Sequence, residues 1–156
     1  MTHAEIIHLI NRSLFADLGF MDEAGFPAIR RVFCVWHRGI GRHLISTNTS
    51  SGHTRALRRD GRACLYVADD AAFEGVCLTG RCVPHRDRET LALLWNDGDE
   101  KYYPGGIDDE DYTVLEFIAD SARYYRFDGK GTLSAEEIAA LDVGASFENG
   151  YQKTHP

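Results

Sequence analysis

The stretch Phe26-Pro27-Ala28-Ile29-Arg30-Arg31-Val32-Phe33-Cys34-Val35-Trp36-His37 decides the fold of this chain. Read as a strand, it puts Phe26, Ala28, Arg30, Val32, Cys34 and Trp36 on one face, and Ile29, Arg31, Phe33, Val35 and His37 on the other. Both faces are substantially apolar. Cys64-Leu65-Tyr66-Val67-Ala68 behaves the same way. A strand with one face in water alternates cleanly between apolar and polar residues, and these do not. Strands covered on both sides predict a small barrel whose outside is also covered, by helices or by a second subunit. A β-sandwich with one helix on its face is the competing arrangement.

The neighbouring segments supply the rest of a mainly β chain with flanking helices. Thr2-His3-Ala4-Glu5 reads as a capping box, and Ile6, Ile7, Ile10 and Leu14 follow at helical spacing. Strands are expected at 15–21, 26–37, 43–47, 62–68, 75–83, 112–118 and 122–127. Short helices are expected through Leu57, over 86–95 and from Ser134 to Leu141. The tail after Gly144 lacks periodicity and is expected to be loosely held. The 156 residues suit a single domain: a helix over about 2–14, a barrel over about 15–127, and a helix and tail over 128–156.

Composition narrows the function. The chain holds 17 Lys+Arg against 24 Asp+Glu, a formal charge of −7, and its pI is near 5.4. That argues against non-specific binding to nucleic acid or to an anionic membrane, which both require a basic surface. No stretch approaches the roughly 20 apolar residues of a membrane-spanning helix, and the N-terminus does not read as a signal peptide. A cytoplasmic protein is expected. The four cysteines, at 34, 64, 77 and 82, form no CxxC pair and read as free thiols. No metal site is expected; His37 and His43 can meet across a turn, but two nitrogens do not make a zinc centre. Phe127 to Glu137 mimics the end of a calcium loop but puts Arg126 and Lys130 at carboxylate positions. The acidic run Asp108 to Asp111 reads as solvated.

Charge is unevenly divided. Residues 1–95 carry a net +2 and residues 96–156 a net −9, so an anion site belongs in the first part. Its best location is Thr47-Asn48-Thr49-Ser50-Ser51-Gly52-His53-Thr54-Arg55. This segment leaves a strand, passes through hydroxyl and amide side chains, and enters a helix whose N-terminus offers unpaired amides. An ordinary capped surface loop would have the same composition. Arg30 shifts the balance, because a guanidinium among apolar strand residues demands a partner, either a bound phosphate or a structural carboxylate.

Four segments in order, Gly25-Phe26-Pro27-Ala28-Ile29-Arg30, the 47–57 segment, Arg62 to Val67 and Leu78-Thr79-Gly80-Arg81, resemble the pyridoxamine 5'-phosphate oxidase-like family of FMN-binding split barrels. Leu94-Trp95, Tyr102-Tyr103-Pro104-Gly105-Gly106, Asp108-Asp109 and Asp111-Tyr112 are similar to its general stress protein branch. The resemblance implies a six-stranded antiparallel split β-barrel, dimeric, with FMN at the subunit interface. By position it implies Arg30 at the flavin phosphate with Arg31 as a compensating charge, and Val32 beside the ring. It implies Thr47, Asn48, Ser51, His53 and Arg55 around the phosphate, and Trp95 and Tyr125 near the ring end. His53 stands where many relatives have Lys. Gly75 stands where the vitamin-processing oxidases have a Gln, and their C-terminal substrate-binding segment has no counterpart here, so that specific activity is not expected. The expected function is a small FMN-dependent oxidoreductase with NAD(P)H or another small-molecule electron donor. The alternative is a flavin-binding protein without turnover, in stress response, sensing or storage. A related barrel using deazaflavin or haem ranks lower.

Overall fold

The structure, a computed structural model, describes residues 1–33 and 36–149. The chain opens with helix α1 (His3–Arg12), followed by strands β1 (Phe15–Met21), β2 (Pro27–Phe33), β3 (Trp36–Arg38) and β4 (Arg42–Asn48). Then come α2 (Gly52–Arg59), β5 (Arg62–Asp69), β6 (Glu74–His85) and α3 (Arg88–Leu94). It closes with β7 (Tyr112–Arg126), β8 (Gly129–Ser134), α4 (Ala135–Leu141) and β9 (Phe147–Asn149). The capping box at α1 is formed, with Thr2 N–H donating to Glu5 Oε2 at 2.6 Å and Glu5 N–H to Thr2 Oγ1 at 3.2 Å.

Among the described residues the strands make one open, antiparallel nine-stranded sheet in the order β2-β1-β5-β6-β7-β4-β3-β9, with β8 paired to β7. The six consecutive strands from β2 to β4 are the barrel, and the sheet is open between the two ends of that run. β2 pairs with β1 and β3 with β4. The stretch that opened the sequence reading therefore passes from one side of the split to the other, instead of forming one strand. Cys34 and Val35, at the crossing, lie outside the described residues.

The inner face carries the core. Leu18, Leu65, Val76, Leu78, Leu115 and Phe117 are fully buried, and α1 closes one end with Ile6, Leu9 and Ile10. A second cluster, Leu44, Leu91, Leu94, Tyr112 and Val114, is flanked by Trp36, Trp95, Tyr103 and Phe147. β5 alternates in burial, with Ala63, Leu65 and Val67 buried and Cys64, Tyr66 and Ala68 half-buried, although both of its faces are apolar in sequence.

Three expectations need correction. Residues 112–126 form one strand, because Thr79 pairs with Ser121 and Gly80 with Ala119. Asp120 is thus the extra residue of a β-bulge, which bends β7 without ending it. The 129–134 segment is a strand, β8, whose composition is poor for β structure; register along β7, from Arg126↔Gly129 to Ser121↔Ser134, imposes the pairing. The tail is held at least to β9, where Phe147 stacks on Trp36 at 5.7 Å under the Arg42 guanidinium, 4.9 Å from the ring. The tail beyond residue 149 lies outside the described residues.

Candidate functional site

The cleft between the two lips of the split gathers the strongest of the sequence-derived site residues. Arg30 lies on the inner side of β2, between Ala28 and Val32, which pack against the core. It is nevertheless exposed, and its Nη1 donates to the Ile29 carbonyl at 3.0 Å. The argument that Arg30 needs a partner to offset burial therefore fails. β2 is the last strand of the sheet and water reaches its side chains.

Across the split, β4 ends in Thr47 and Asn48 and α2 begins. His53, in the first turn of α2, shares a hydrogen bond of 2.7 Å with Thr47 Oγ1 through its Nε2. Its ring lies 6.2 Å from that of Phe20 on β1. Half-burial lowers the His53 pKa below its ordinary 6.5, and the nearby positive charge of Arg30 lowers it further. Ser51 caps α2 in extended geometry without spending its side chain on a cap hydrogen bond. The first amides of α2 have no intrahelical acceptor. Burial of Thr54, Ala56 and Leu57 turns the other face of the helix to the core.

Asn48 and Arg55 build the loop more than they face the cleft. Asn48 Nδ2 donates to Asp111 Oδ2 at 2.7 Å, and Ser50 N–H donates to Asp111 Oδ1 at 2.7 Å. Arg55 pairs with Glu23 of the β1–β2 turn at 3.2 Å and donates to the Ser50 carbonyl at 2.6 Å. Arg58 and Arg59 fall in the last turn of α2, at its negative dipole end, away from the cleft.

Three other candidates sit elsewhere. Arg31 is on the outer face of β2 and forms a two-pronged ion pair with Asp17, at 2.9 and 3.0 Å. One residue along a strand reverses the face, so Arg31 cannot supplement Arg30 within this chain. Tyr125 is on the outer face of β7; its hydroxyl lies 2.5 Å from that of Tyr66, and Phe73 packs edge-on against its ring. Trp95 ends α3 against Tyr112 and Tyr103, with ring separations of 5.2 and 6.4 Å. A cavity of about 470 Å³ opens on the outer face between Phe15, Asp17, Arg31, Tyr66 and Asp70.

The sequence reading missed Tyr66 and Asp111. Tyr66 follows from the alternation of β5, which sends it to the same face as Tyr125. Asp111 was hidden in the acidic run read as solvated, although its carboxylate organises residues 48–50 and its pKa is held down by those hydrogen bonds. His37 and His43 do meet across the turn, in register and 5.9 Å apart, and both are buried. No group of three potential metal ligands occurs among the described residues. No described helix is long and apolar enough to cross a membrane.

An open six-stranded antiparallel barrel with flanking helices, with Arg30 on one side of its split and His53 on the other, defines the class of protein. The sequence profile described as pyridoxamine 5'-phosphate oxidase like matches residues 41–146. A crystal structure from Clostridium acetobutylicum, of a protein related to general stress protein 26 of B. subtilis (pyridoxinephosphate oxidase family), is 36% identical. The match covers 88% of this chain and 99% of that one, with a TM-score of 0.77. This chain belongs to the pyridoxamine 5'-phosphate oxidase-like family. General stress protein 26 from Bacillus anthracis shares the fold at 13% identity and a TM-score of 0.70, over 85% of this chain and 97% of that one. A heme binding protein from Mycobacterium smegmatis shares it at 22% identity and a TM-score of 0.71, over 90% of this chain and 61% of that one. A search of curated proteins found no match.

Proposed function

We propose that this protein binds FMN, with the phosphate in the cleft between β2 and α2, and that it acts as a small flavin-dependent oxidoreductase. The observation that carries this reading is that Arg30 on β2 lies close enough to act on His53 across the split, with Thr47 bonded to His53 and Ser51 at the start of α2. A dianionic phosphate meets there an exposed guanidinium, an imidazole, hydroxyl groups and the first amides of a helix. The residues fit the group: Arg30 has donors to spare beyond its single bond to Ile29, and the Ser51 hydroxyl is not engaged in capping. Bound FMN would supply electron transfer through its ring. The chain's own part is to hold the phosphate, to border the ring with the Val32 strand, and to keep the cleft in shape through Asp111.

The same proposal includes a homodimer. Phe26 just before β2, and Ile29 and Phe33 on it, are 69%, 66% and 51% exposed, and Phe15 on β1 is 42% exposed. An apolar surface of this kind on an edge strand favours cover by a second copy, which would add its own residues beside Tyr125 and Trp95. NAD(P)H is the expected class of electron donor.

Titration of the chain with FMN and with riboflavin, on wild type and Arg30→Ala, tests the reading. Loss of a charge-assisted contact worth about 1.5–3 kcal/mol weakens FMN roughly tenfold or more and leaves riboflavin unchanged. Equal loss for both ligands, or no binding of FMN by wild type, overturns it. Flavin reduction by NADPH in the reconstituted protein separates an enzyme from a carrier.

A further inference from the structure

Cys64 and Cys77 face each other on the outer surface of the barrel, on the side of the sheet opposite to the phosphate cleft. The β5–β6 register pairs Cys64 with Thr79 and Tyr66 with Cys77, so the cysteines are diagonal neighbours on one face. Both are half-exposed. The Cys77 thiol and the Gly19 amide both lie close to the Cys64 sulfur. Gly19 also makes the room: a Cβ at that position would stand 2.5 Å from Cys64 Sγ, so the sulfur occupies space that any other residue on β1 would fill.

The nearby Cys77 thiol, and then the Gly19 amide, favour the Cys64 thiolate and draw its pKa below the ordinary thiol range. Interaction with the Cys64 sulfur and then burial raise the Cys77 pKa, and the charge on Cys64 adds to this, so Cys77 remains a thiol. Cys82 is the contrast. It is fully buried, and burial followed by the charge of Glu116 pushes its thiol up to about 12.

We propose that Cys64 and Cys77 are a reversible dithiol–disulfide site oxidised by hydroperoxides. The Cys64 thiolate attacks one peroxide oxygen, the O–O bond breaks, and the other oxygen leaves and takes a proton as an alcohol or water. Cys64 becomes a sulfenic acid, oxidised by two electrons while the peroxide is reduced by two. The Cys77 sulfur then attacks the Cys64 sulfur, the S–O bond breaks, and the hydroxyl departs as water with the Cys77 proton. One dithiol and one hydroperoxide give one disulfide, one alcohol and one water. A small thiol reverses the reaction by two successive exchanges. The site does not depend on flavin binding.

The test uses the full chain carrying Cys34→Ser, treated with one equivalent of hydrogen peroxide, alkylated and digested with trypsin. Both cysteines fall in the single peptide 63–81. The expected product is that peptide two hydrogens lighter, restored by dithiothreitol, with Cys82 unmodified. Alkylation of Cys64 at pH 7 is expected to run about tenfold faster than for a thiol of ordinary pKa. Adding Cys77→Ser gives a sulfenic acid at Cys64, trapped by dimedone, and no bridge. A peptide 63–81 that stays at its reduced mass overturns the proposal. So does a Cys64 alkylation rate that rises only above about pH 8, as for a free thiol.

Discussion

Asn48 Nδ2 donates to Asp111 Oδ2 at 2.7 Å, joining the start of the β4–α2 loop to the residue just before β7. The same carboxylate takes the Ser50 amide, and the Thr49 amide donates to the Asp111 carbonyl at 2.8 Å. Asp111 is thus the template on which residues 48–50 are laid before α2 begins.

Replacing it is expected to loosen the loop without unfolding the barrel. Asp111→Ala removes two hydrogen bonds to a partly solvated charge, a cost of about 1 kcal/mol after water takes their place. Thermal unfolding measures that small loss. FMN affinity is expected to fall more than stability does, because the loop loses its preorganised shape; a drop in melting temperature with FMN binding intact would refute the template role.

His53 provides a pH signature. Its pKa is below 6.5 in the free protein, and a phosphate in the cleft raises it by stabilising the imidazolium. Proton uptake then accompanies binding, so the His53 contribution to FMN affinity is greatest below the free-protein pKa. That contribution declines as pH rises through the higher pKa of the complex. His53→Lys is expected to flatten the profile between about pH 5.5 and 8.5, since Lys stays charged throughout. Identical FMN titrations for the two proteins across that range would remove His53 from the phosphate.

His43 sets acid stability. It is completely buried and keeps a hydrogen bond of 2.9 Å to the Ile40 carbonyl, while burial and then the neighbouring His37 lower its pKa to about 4. The unfolded chain protonates near pH 6.5, so between those values it binds the extra proton and the folded state does not. Stability therefore falls as pH drops from about 6.5 towards 4, by an amount on the order of 3 kcal/mol. Urea unfolding at pH 7 and pH 4.5 reads this. His43→Phe would keep the ring, discard the titration and shrink the difference.

Gly80 is fixed by backbone. A Cβ there would collide with the Ile118 carbonyl and the Ala119 Cα, neither of which can swing aside as a side chain would. Gly80→Ala is expected to cost about 3 kcal/mol by forcing the bulge apart. The check is calorimetric, and a melting temperature within 2 °C of wild type, on the order of 0.5–1 kcal/mol, would mean the strands accommodate the methyl group.

How legible the molecule was depends on the range of the interactions concerned. The strand at 62–68 and the helix starts at Thr2 and Ser134 are local signals, and the structure carries all of them. The break between β2 and β3 is not local: Phe33 and Trp36 differ only in which strand they pair with, β1 or β4. β8 exists because a long neighbour was available, which nothing in Gly129-Lys130-Gly131-Thr132 announces. Among the site candidates, residue type picks out Arg30, His53 and Thr47, and the structure brings Arg30 near His53 and bonds His53 to Thr47. Residue type misjudged Arg31, whose face depends on strand parity and whose partner Asp17 lies on another strand. It missed Asp111 because a carboxylate in an acidic run looks solvated until the loop folds over it.

The split has a mechanical consequence. Among the described residues β2 is hydrogen-bonded to β1 alone, so its far edge leaves amides open to exchange with solvent. Arg30 is on that strand and His53 is on the opposite lip, so a phosphate held by both would rivet the seam shut. Ligand affinity and the breathing of one strand then become the same quantity, read as slowed deuterium uptake along Pro27–Phe33 when the cleft is filled. A seam left unstitched by backbone pairing is where a bound phosphate would complete the barrel.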